Sequence, residues 1–306
     1  MTVELRTLTI GTRKSKLALA QTFMVRDALL TAHPGLIVAL EHITTKGDVI
    51  LDRPLSAIGD KGLFVVELEE AMRAGRVDLA VHSAKDLPSV LPPDMTLAAT
   101  PRRADPRDAL ISRGRVTLAE LHQGATVGTS SLRRACQLRA LRPDLTIEDL
   151  RGNVDTRLRK LHEGAYDAIV LAAAGLERLG LAGEVAEFLP PELMVPAVGQ
   201  GVMGIEARAG DEVVAALLAS LDDPTARASI TAERAFLARI GGGCQVPVGA
   251  FATLEGDSLR LIGMIGARDG RQVRGELRGV ASDPAALGAA LAEELLGQGG
   301  SALLES

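Results

Sequence analysis

The stretch Gly75-Arg76-Val77-Asp78-Leu79-Ala80-Val81 decides the fold, because it recurs as Gly164-Ala165-Tyr166-Asp167-Ala168-Ile169-Val170 in the second half of the chain. A second pair, Thr9-Ile10-Gly11-Thr12 and Thr126-Val127-Gly128-Thr129, stands in the same order. In both halves the predicted elements run strand, helix, strand, loop, helix, strand. Two matches in the same order indicate that the halves arose by duplication.

The alternation of strands and helices predicts the fold class. Amphipathic helices are predicted at 65–74 and 154–163, directly before the two long repeats. Such alternation implies a parallel sheet with helices on both of its faces. We therefore predict an α/β protein with two similar doubly wound lobes, of the kind seen in periplasmic binding proteins.

The pattern changes near Pro224, which predicts a small α+β domain in the C-terminal part of the chain. A helix over 225–240 and a last helix near 284–296 enclose three strands, near 248–254, 259–266 and 271–279. The predicted domains are 1–101 with 201–220 for the first lobe, 102–200 for the second lobe, and 221–306 for the C-terminal domain.

Two connecting segments have distinct characters. The segment at 46–62 is long and punctuated by glycine, which is typical of a lid over a site. The segment at 189–201 contains three prolines and two glycines, and it is interpreted as a crossing between domains.

The composition is that of an ordinary soluble globular protein and excludes several function classes. The 306 residues are 47% hydrophobic and 24% charged, and no apolar run approaches the roughly 18 residues of a membrane span. A net charge of −5 and 2% aromatic residues argue against a nucleic-acid partner. The five histidines are scattered without metal-ligand spacing, and neither a Walker loop nor a G-x-G-x-x-G fingerprint occurs.

Cysteine usage and the N-terminal residues predict a cytoplasmic protein. The two cysteines, Cys136 and Cys244, are too few and too far apart for a disulfide framework. Residues 1–6 lead directly into a strand without an apolar signal segment, so we expect no export. No large exposed apolar stripe calls for a partner chain, and we therefore expect a monomer.

Cys244 stands in a glycine-rich loop, Gly241-Gly242-Gly243-Cys244-Gln245-Val246-Pro247. The three glycines leave the thiol on an uncrowded backbone, whereas a structural cysteine is usually buried among branched apolar residues. This setting favours a thiol that must be reached, either as a nucleophile or as a covalent tether. The alternative is a glycine-rich turn that holds a small residue.

An apolar strand runs directly into the polar turn Val81-His82-Ser83-Ala84-Lys85-Asp86-Leu87-Pro88. Ligands of open α/β sheets bind where the carboxyl ends of strands meet such turns, so Ser83, Lys85 and Asp86 are expected to project together. A carboxylate beside a lysine keeps its charge and can stabilise a cationic intermediate. The alternative is a Lys–Asp pair on the surface of an ordinary turn.

Three further strand-end turns carry hydroxyls, arginines and the N–H groups of a helix start: Thr12-Arg13-Lys14-Ser15, Thr129-Ser130-Ser131-Leu132-Arg133-Arg134, and Arg151-Gly152-Asn153-Val154-Asp155-Thr156-Arg157. Such groups make anion sites, and arginine forks suit planar carboxylates. Because the protein is acidic and the turns fall at one topological edge, we predict a cleft for a small ligand with several carboxylates or phosphates. Taken singly, each turn could be an ordinary N-cap with solvated arginines.

Together these motifs resemble the porphobilinogen deaminase family, whose members are also called hydroxymethylbilane synthases. The resemblance rests on residues 81–88, 128–134, 150–157 and 242–247, with 59–64 and 199–201 in support. The motifs occur in the family's order, cover residues 9 to about 253, and are specific in combination.

The resemblance implies an enzyme that joins four porphobilinogen molecules head to tail, releases four ammonias and frees hydroxymethylbilane. Growth takes place on a dipyrromethane cofactor that is bound by a thioether to a cysteine, which matches Cys244, and the catalytic aspartate matches Asp86. The residues that would hold the cofactor are Ser83, Lys85, Asp86, Thr129, Ser131, Arg133 and Arg134. The residues that would contact the substrate or the growing chain are Arg13, Ser15, Lys61, Arg151, Arg157, Arg178 and Gln200.

Three positions depart from the family's pattern. Ala57 and Asp60 lie in the predicted lid, where relatives often carry lysine and glycine, and Val202 stands where alanine is usual. These departures concern the lid contacts and not the reaction. Cys136 falls within a predicted helix and is expected to be structural.

Two other functions fit parts of the pattern. A two-lobe protein that binds small anions without catalysis would share the fold, but it has no need of an exposed cysteine. A cysteine-nucleophile hydrolase or transferase needs a histidine that activates the thiol, and His82 is the best placed one. The deaminase accounts for more of the motifs than either alternative.

Overall fold

The computed structural model describes residues 7–49, 64–241 and 246–305, except for the side chains at 48 and 49. The described chain forms two compact units. The first contains 7–49, 64–103 and 202–227, and the second contains 104–201, 228–241 and 246–305. The first unit contains one five-stranded sheet, and the second contains a five-stranded and a three-stranded sheet, each packed against a hydrophobic core.

The strands and helices follow the alternation predicted for an α/β chain. The strands are β1 (Thr7–Thr12), β2 (Ile37–His42), β3 (Leu79–Ser83), β4 (Met95–Ala99), β5 (Asp108–Ser112), β6 (Thr126–Gly128), β7 (Thr146–Glu148), β8 (Ala168–Ala172), β9 (Glu187–Leu189), β10 (Met203–Arg208), β11 (Val248–Glu255), β12 (Ser258–Gly266) and β13 (Gln272–Val280). The helices are α1 (Lys16–Ala32), α2 (Lys46–Val49), α3 (Val66–Arg73), α4 (Leu132–Leu141), α5 (Val154–His162), α6 (Ala173–Arg178), α7 (Glu212–Leu218), α8 (Pro224–Ile240), α9 (Pro284–Leu295) and α10 (Ser301–Leu304). None of these described helices is long and apolar enough to cross a membrane.

The two five-stranded sheets share one topology. Their strand orders are β2-β1-β3-β10-β4 in the first unit and β7-β6-β8-β5-β9 in the second. In each sheet the first three strands are parallel, and the fourth runs antiparallel to both of its neighbours. The prediction of wholly parallel sheets is therefore wrong for β10 and β5. β10 and β5 each follow a strand of the other five-stranded sheet, so no crossover helix connects them to their neighbours. Parallel neighbours need such a helix, whereas antiparallel neighbours do not.

The internal repeat is confirmed by two aspartates that make the same contacts. The Thr9 N–H donates to Asp78 Oδ2 over 2.8 Å, and the Thr126 N–H donates to Asp167 Oδ2 over 2.8 Å. The N–H groups of the two aspartates donate back to the carbonyls of the same threonines, over 2.8 and 2.9 Å. Asp78 thus ties the start of β3 to β1, and Asp167 ties the start of β8 to β6.

The C-terminal residues form the predicted small α+β domain. The antiparallel sheet β11-β12-β13 packs against α8 and α9 around a core that includes Phe236, Leu261, Ile265 and Leu291. All three strands and both helices begin and end within one residue of their predicted bounds. The predicted fold class, with two similar lobes and this small domain, is confirmed.

The predicted lid falls mostly outside the described residues. Its first part is the short helix α2, and residues 50–63 lie outside the description. The positions Ala57, Asp60 and Lys61 belong to that part of the chain.

Candidate active site

The turn after β3 holds the predicted catalytic carboxylate. A one-turn 3-10 helix over 84–86 follows the largely buried strand directly. The Ala84 N–H donates to the Val202 carbonyl over 2.9 Å, which fixes the turn to the chain that leads into β10. Ala84 is buried, Lys85 is half-buried and Asp86 is exposed. The structure therefore presents the Asp86 carboxylate to solvent on an anchored turn.

Helix α1 supports the neighbouring predicted residues of this unit. Gln21 Nε2 donates to Ser83 Oγ over 3.0 Å, and Gln21 itself is only 2% exposed. Ser15 caps α1, because its Oγ accepts a backbone N–H of the first turn over 3.3 Å. The Arg13 guanidinium lies 4.0 Å from the centre of the Phe64 ring. Ser83 is thus oriented by a buried amide, and Arg13 by an aromatic face.

His82 is enclosed in the first unit. Its Nε2 lies 3.0 Å from Glu206 Oε2, and both side chains are at most 4% exposed. Glu206 also acts on Glu69, a third largely buried side chain: burial raises the pKa of Glu69, and the negative charge of Glu206 raises it further. The His82 imidazole is thus held inside the unit against a buried carboxylate, and it is not the exposed base that the cysteine-nucleophile alternative requires.

In the second unit, Thr129 and Ser131 shape the start of α4. Ser131 Oγ accepts the Arg134 N–H over 3.4 Å, and Thr129 Oγ1 accepts the Ser131 N–H over 3.2 Å. An N-cap of this kind satisfies donors that the first helical turn leaves unpaired. The two hydroxyls therefore fix the turn from which Arg133 and Arg134 project.

Arg133 and Arg134 are buried, and they share one carboxylate, Asp108. Arg133 Nη1 donates to Asp108 Oδ2 over 2.7 Å, and Arg134 donates to Oδ1 from Nε over 2.9 Å and from Nη2 over 2.7 Å. Burial alone would raise the pKa of Asp108, but the charges of the two guanidinium groups outweigh burial and hold the pKa well below its usual range. The alternative of solvated arginines therefore fails for this turn.

The buried cluster carries net positive charge. Two guanidinium cations surround one carboxylate, so one positive charge has no buried counter-charge among these three residues. Within the described part of the chain, Arg133 Nε also has no hydrogen-bond partner. Burying a cation is costly unless an anion pairs with it. The cluster therefore fits a ligand that brings a carboxylate, as a dipyrromethane with acetate and propionate side chains would.

Two glutamines brace this cluster from inside. The fully buried Gln200 donates from Nε2 to Asp108 Oδ1 over 3.0 Å and to the Pro106 carbonyl over 2.8 Å. Gln137 accepts the Val195 N–H over 2.7 Å and donates to the Val195 carbonyl over 3.1 Å. The Gln200 Nε2 donates only to Asp108 and to the Pro106 carbonyl among these contacts, so Gln200 contacts the arginine cluster through Asp108.

The remaining predicted arginines of this unit are half-buried, and two of them donate to backbone carbonyls. Arg157 Nε donates to the Gly152 carbonyl over 2.7 Å, and Arg178 Nη2 donates to the Gly201 carbonyl over 2.7 Å. Burial lowers the pKa of Arg178. Arg151 lies at the same strand-end turn as Arg157, and the structure leaves it half-buried.

The two cysteines have different positions in the description. Cys244 lies outside the described residues, between the end of α8 and the start of β11. Cys136 is free and fully buried, with its Sγ 3.6 Å from the Arg271 carbonyl. Burial raises the pKa of the Cys136 thiol, which fits the structural role expected for it.

Three buried polar residues that support the site, Asp108, Gln21 and Gln137, were not predicted from the sequence. Polar side chains inside a unit follow no periodic pattern. One local signal could have indicated them, namely a polar residue at or inside an apolar run. Asp108 is the first residue of the otherwise largely apolar strand β5, and Gln21 follows an apolar stretch of α1. Over residues 7–49, 64–241 and 246–305, no group of three histidine, cysteine or acidic side chains could hold a metal ion.

Comparison with known proteins identifies the family. Residues 8–216 match the family described as porphobilinogen deaminase, dipyromethane cofactor binding domain, and residues 228–297 match the porphobilinogen deaminase C-terminal domain. A solved YaeC-family lipoprotein from Enterococcus faecalis V583 covers 71% of this chain and 91% of its own, with a TM-score of 0.44 at 13% identity. That likeness is too low to carry an argument.

Two curated relatives match nearly the whole chain. The porphobilinogen deaminase of Roseiflexus sp. (strain RS-1) is 78% identical over 299 residues, which cover 98% of this chain and 99% of the relative. The porphobilinogen deaminase of Brevibacillus brevis is 53% identical over 291 residues, which cover 95% and 94%. On these matches, the chain belongs to the porphobilinogen deaminase family.

Proposed function

We propose that Asp86 is the catalytic carboxylate of this hydroxymethylbilane synthase, and that Cys244 carries its dipyrromethane through a thioether. Membership of the family makes the chain a transferase, which joins four porphobilinogen molecules into hydroxymethylbilane and releases four ammonias. The observation that carries the role of Asp86 is its exposed carboxylate on the turn that Ala84 anchors.

Asp86 acts on the charge that develops during each addition. As ammonia leaves, the carbon–nitrogen bond of porphobilinogen breaks, and positive charge spreads over its pyrrole ring. A carboxylate that accepts the pyrrole N–H stabilises this charge, and the same group can take the proton that the new carbon–carbon bond displaces. That proton leaves with ammonia as ammonium. When bound, the dipyrromethane supplies the nucleophilic carbon at which the chain grows.

The cofactor would be held by residues of the two turns described above. The buried cluster of Arg133, Arg134 and Asp108 offers its uncompensated positive charge to a carboxylate. Ser83, Lys85, Thr129 and Ser131 would add hydroxyl and ammonium donors, with Ser83 oriented by its contact with the buried Gln21.

The substrate would be held by the half-buried cations. Each porphobilinogen brings two carboxylates, and planar guanidinium groups bind such carboxylates in a bidentate manner. The proposed contacts are Arg13, Ser15, Lys61, Arg151, Arg157 and Arg178. For Gln200 we propose an indirect role, in which its amide holds Asp108.

We also propose a cytoplasmic location and a monomeric state for the protein. A cytoplasmic location suits an enzyme whose reactive thiol must stay reduced. The expected state is a monomer that acts on porphobilinogen without nucleic acid or membrane.

The decisive experiment is an intact mass of the purified, unreduced protein, with peptide mapping around Cys244. A two-pyrrole adduct on that peptide would support the proposal. A chain that stays unmodified after incubation with porphobilinogen would favour the two-lobe anion-binding protein instead. The variant Cys244→Ser serves as the control, because it should bind anions but acquire no adduct.

A further inference from the structure

Val195 is held by a side chain in place of a strand partner. It lies between β9 and β10, in a stretch that belongs to neither strand, and it is fully buried. Its N–H donates to Gln137 Oε1 over 2.7 Å, and its carbonyl accepts from Gln137 Nε2 over 3.1 Å. The fully buried Gln137 also donates from Nε2 to the Arg133 carbonyl over 3.3 Å. Because a buried backbone group without a partner is costly, the two bonds from Gln137 fix where the Val195 carbonyl lies.

The Val195 carbonyl in turn holds one end of the Arg133 guanidinium. Arg133 Nη1 donates to this carbonyl over 2.6 Å and to Asp108 Oδ2 over 2.7 Å. An Nη group carries two hydrogens, so both are used, and two acceptors on one nitrogen fix the orientation of the guanidinium. Asp108 is held independently, by Arg134 and by Gln200. The orientation of Arg133 therefore depends on the Val195 carbonyl as well as on Asp108.

Arg133 keeps an open edge, whereas Arg134 does not. Over the described residues, only Nη1 of Arg133 donates a hydrogen bond, and its buried Nε has no acceptor. Nε and Nη2 form one side of the planar group, and this side suits the two oxygens of one carboxylate. Arg134 uses the same side for Asp108 Oδ1 and its Nη1 for the Val170 carbonyl. Of the two arginines, Arg133 is therefore the one that can hold a ligand carboxylate in a bidentate manner.

Burial makes an anionic ligand favourable for Arg133. It lowers the pKa of Arg133, although the charge of Asp108 acts in the opposite direction. Asp108 is shared with Arg134, so it balances only one of the two cations. A carboxylate on the open edge of Arg133 would supply the missing negative charge together with two charge-assisted hydrogen bonds.

We propose that Gln137 is a positioning residue for the cofactor: through Val195 it orients Arg133, whose open edge then holds one carboxylate of the dipyrromethane. The inference rests on the role proposed above for Arg133. It predicts that Gln137 affects the rate of chain growth and not the affinity for substrate, because Arg133 holds the cofactor and not the incoming porphobilinogen. A displaced cofactor presents its nucleophilic carbon in the wrong place, which slows the reaction.

The variant Gln137→Met tests this contact with little change in side-chain volume. Methionine is unbranched and flexible like glutamine, but it has no N–H donor for the Val195 carbonyl and only a weakly accepting sulfur for the Val195 N–H. Misplacement by about 1 Å can cost a factor of about 100 in rate. We expect a smaller displacement here, with kcat about tenfold lower and KM for porphobilinogen unchanged.

The experiment measures kcat and KM for porphobilinogen on the holoenzyme. The fraction of chains that carry the two-pyrrole adduct is taken from the intact mass, so that kcat refers to loaded chains alone. The matched control is Tyr166→Phe, which removes the hydrogen bond of another buried side chain in the same unit, from the Tyr166 hydroxyl to the Asp149 carbonyl. Thermal unfolding is recorded for both variants, so that loss of folded protein is separated from slow catalysis.

A kcat about tenfold lower in Gln137→Met, with KM unchanged and Tyr166→Phe at the wild-type values, would support the inference. A wild-type kcat in Gln137→Met, or an equal fall of kcat in Tyr166→Phe, would overturn it. So would a raised KM with an unchanged kcat in Gln137→Met.

A second variant applies if Gln137→Met does not fold. Gln137→Glu keeps an acceptor for the Val195 N–H but removes the amide donor to the Val195 carbonyl. A lowered kcat in this variant would support the inference, and a wild-type kcat would overturn it. If the wild-type chain carries no adduct, the proposed function itself fails, whereas a loaded wild type with unaffected variants counts against this inference alone.

Discussion

Replacing Asp108 by asparagine should destabilise the second unit strongly. Four hydrogen bonds end on this carboxylate, three on Oδ1 and one on Oδ2. Asparagine keeps one oxygen, turns its NH2 group toward a donor of Arg133 and leaves two buried cations without a counter-charge. Breaking a buried ion pair in this way lowers the free energy of unfolding by about 3–5 kcal/mol. For a unit of this size the midpoint of thermal unfolding should fall by roughly 6–20 °C.

The pH dependence separates this electrostatic cause from simple misfit. Because the pKa of Asp108 is lower in the folded state than its ordinary value of 3.8, its contribution is complete above that value and is lost as the pH falls toward the folded pKa. The variant lacks this titration. The difference in stability between the two proteins should stay constant above about pH 5 and shrink below about pH 4.

The assay is thermal and urea unfolding of wild type and Asp108→Asn, followed by circular dichroism between pH 3 and pH 7. The control is Asp269→Asn, which removes an exposed carboxylate paired with Arg271 and should change stability far less than Asp108→Asn, because water screens an exposed ion pair. An Asp108→Asn protein as stable as this control would refute the reasoning. So would a loss of stability that stays the same in acid.

Three further predictions concern the reaction and the core. Asp86→Asn should fold and keep its cofactor but turn over at least ~100-fold more slowly, because one electrostatic stabiliser is lost; near wild-type consumption of porphobilinogen would contradict that role. Cys136→Ala should keep the two-pyrrole adduct and lose about 1 kcal/mol of stability, whereas an adduct that maps to Cys136 in the wild type would contradict attachment at Cys244. Tyr166→Phe should cost about 0.5–1.5 kcal/mol, because the Tyr166 hydroxyl donates to the Asp149 carbonyl over 2.7 Å; unchanged urea unfolding would rule out that contribution.

Much of the fold could be predicted because hydrophobic period and turn residues are local signals. The repeated Asp78 and Asp167 stretches located the lobes, and the change near Pro224 located the small domain. The direction of β5 and β10 could not be predicted. Strand direction depends on which neighbour the chain meets after a long connection, and that is a property of packing.

The candidate site shows the same difference between features that adjacent residues encode and features that packing decides. The sequence by itself determined the exposed turn with Asp86 and the arginine-bearing helix starts, because strand ends and caps are encoded by adjacent residues. Only the tertiary structure decided that Arg133 and Arg134 are buried, that Asp108 neutralises one of them, and that Gln137 holds Val195. Burial and close approach depend on residues distant in sequence. Asp108 lies 25 residues before Arg133, and no pattern along the chain records that the two side chains meet.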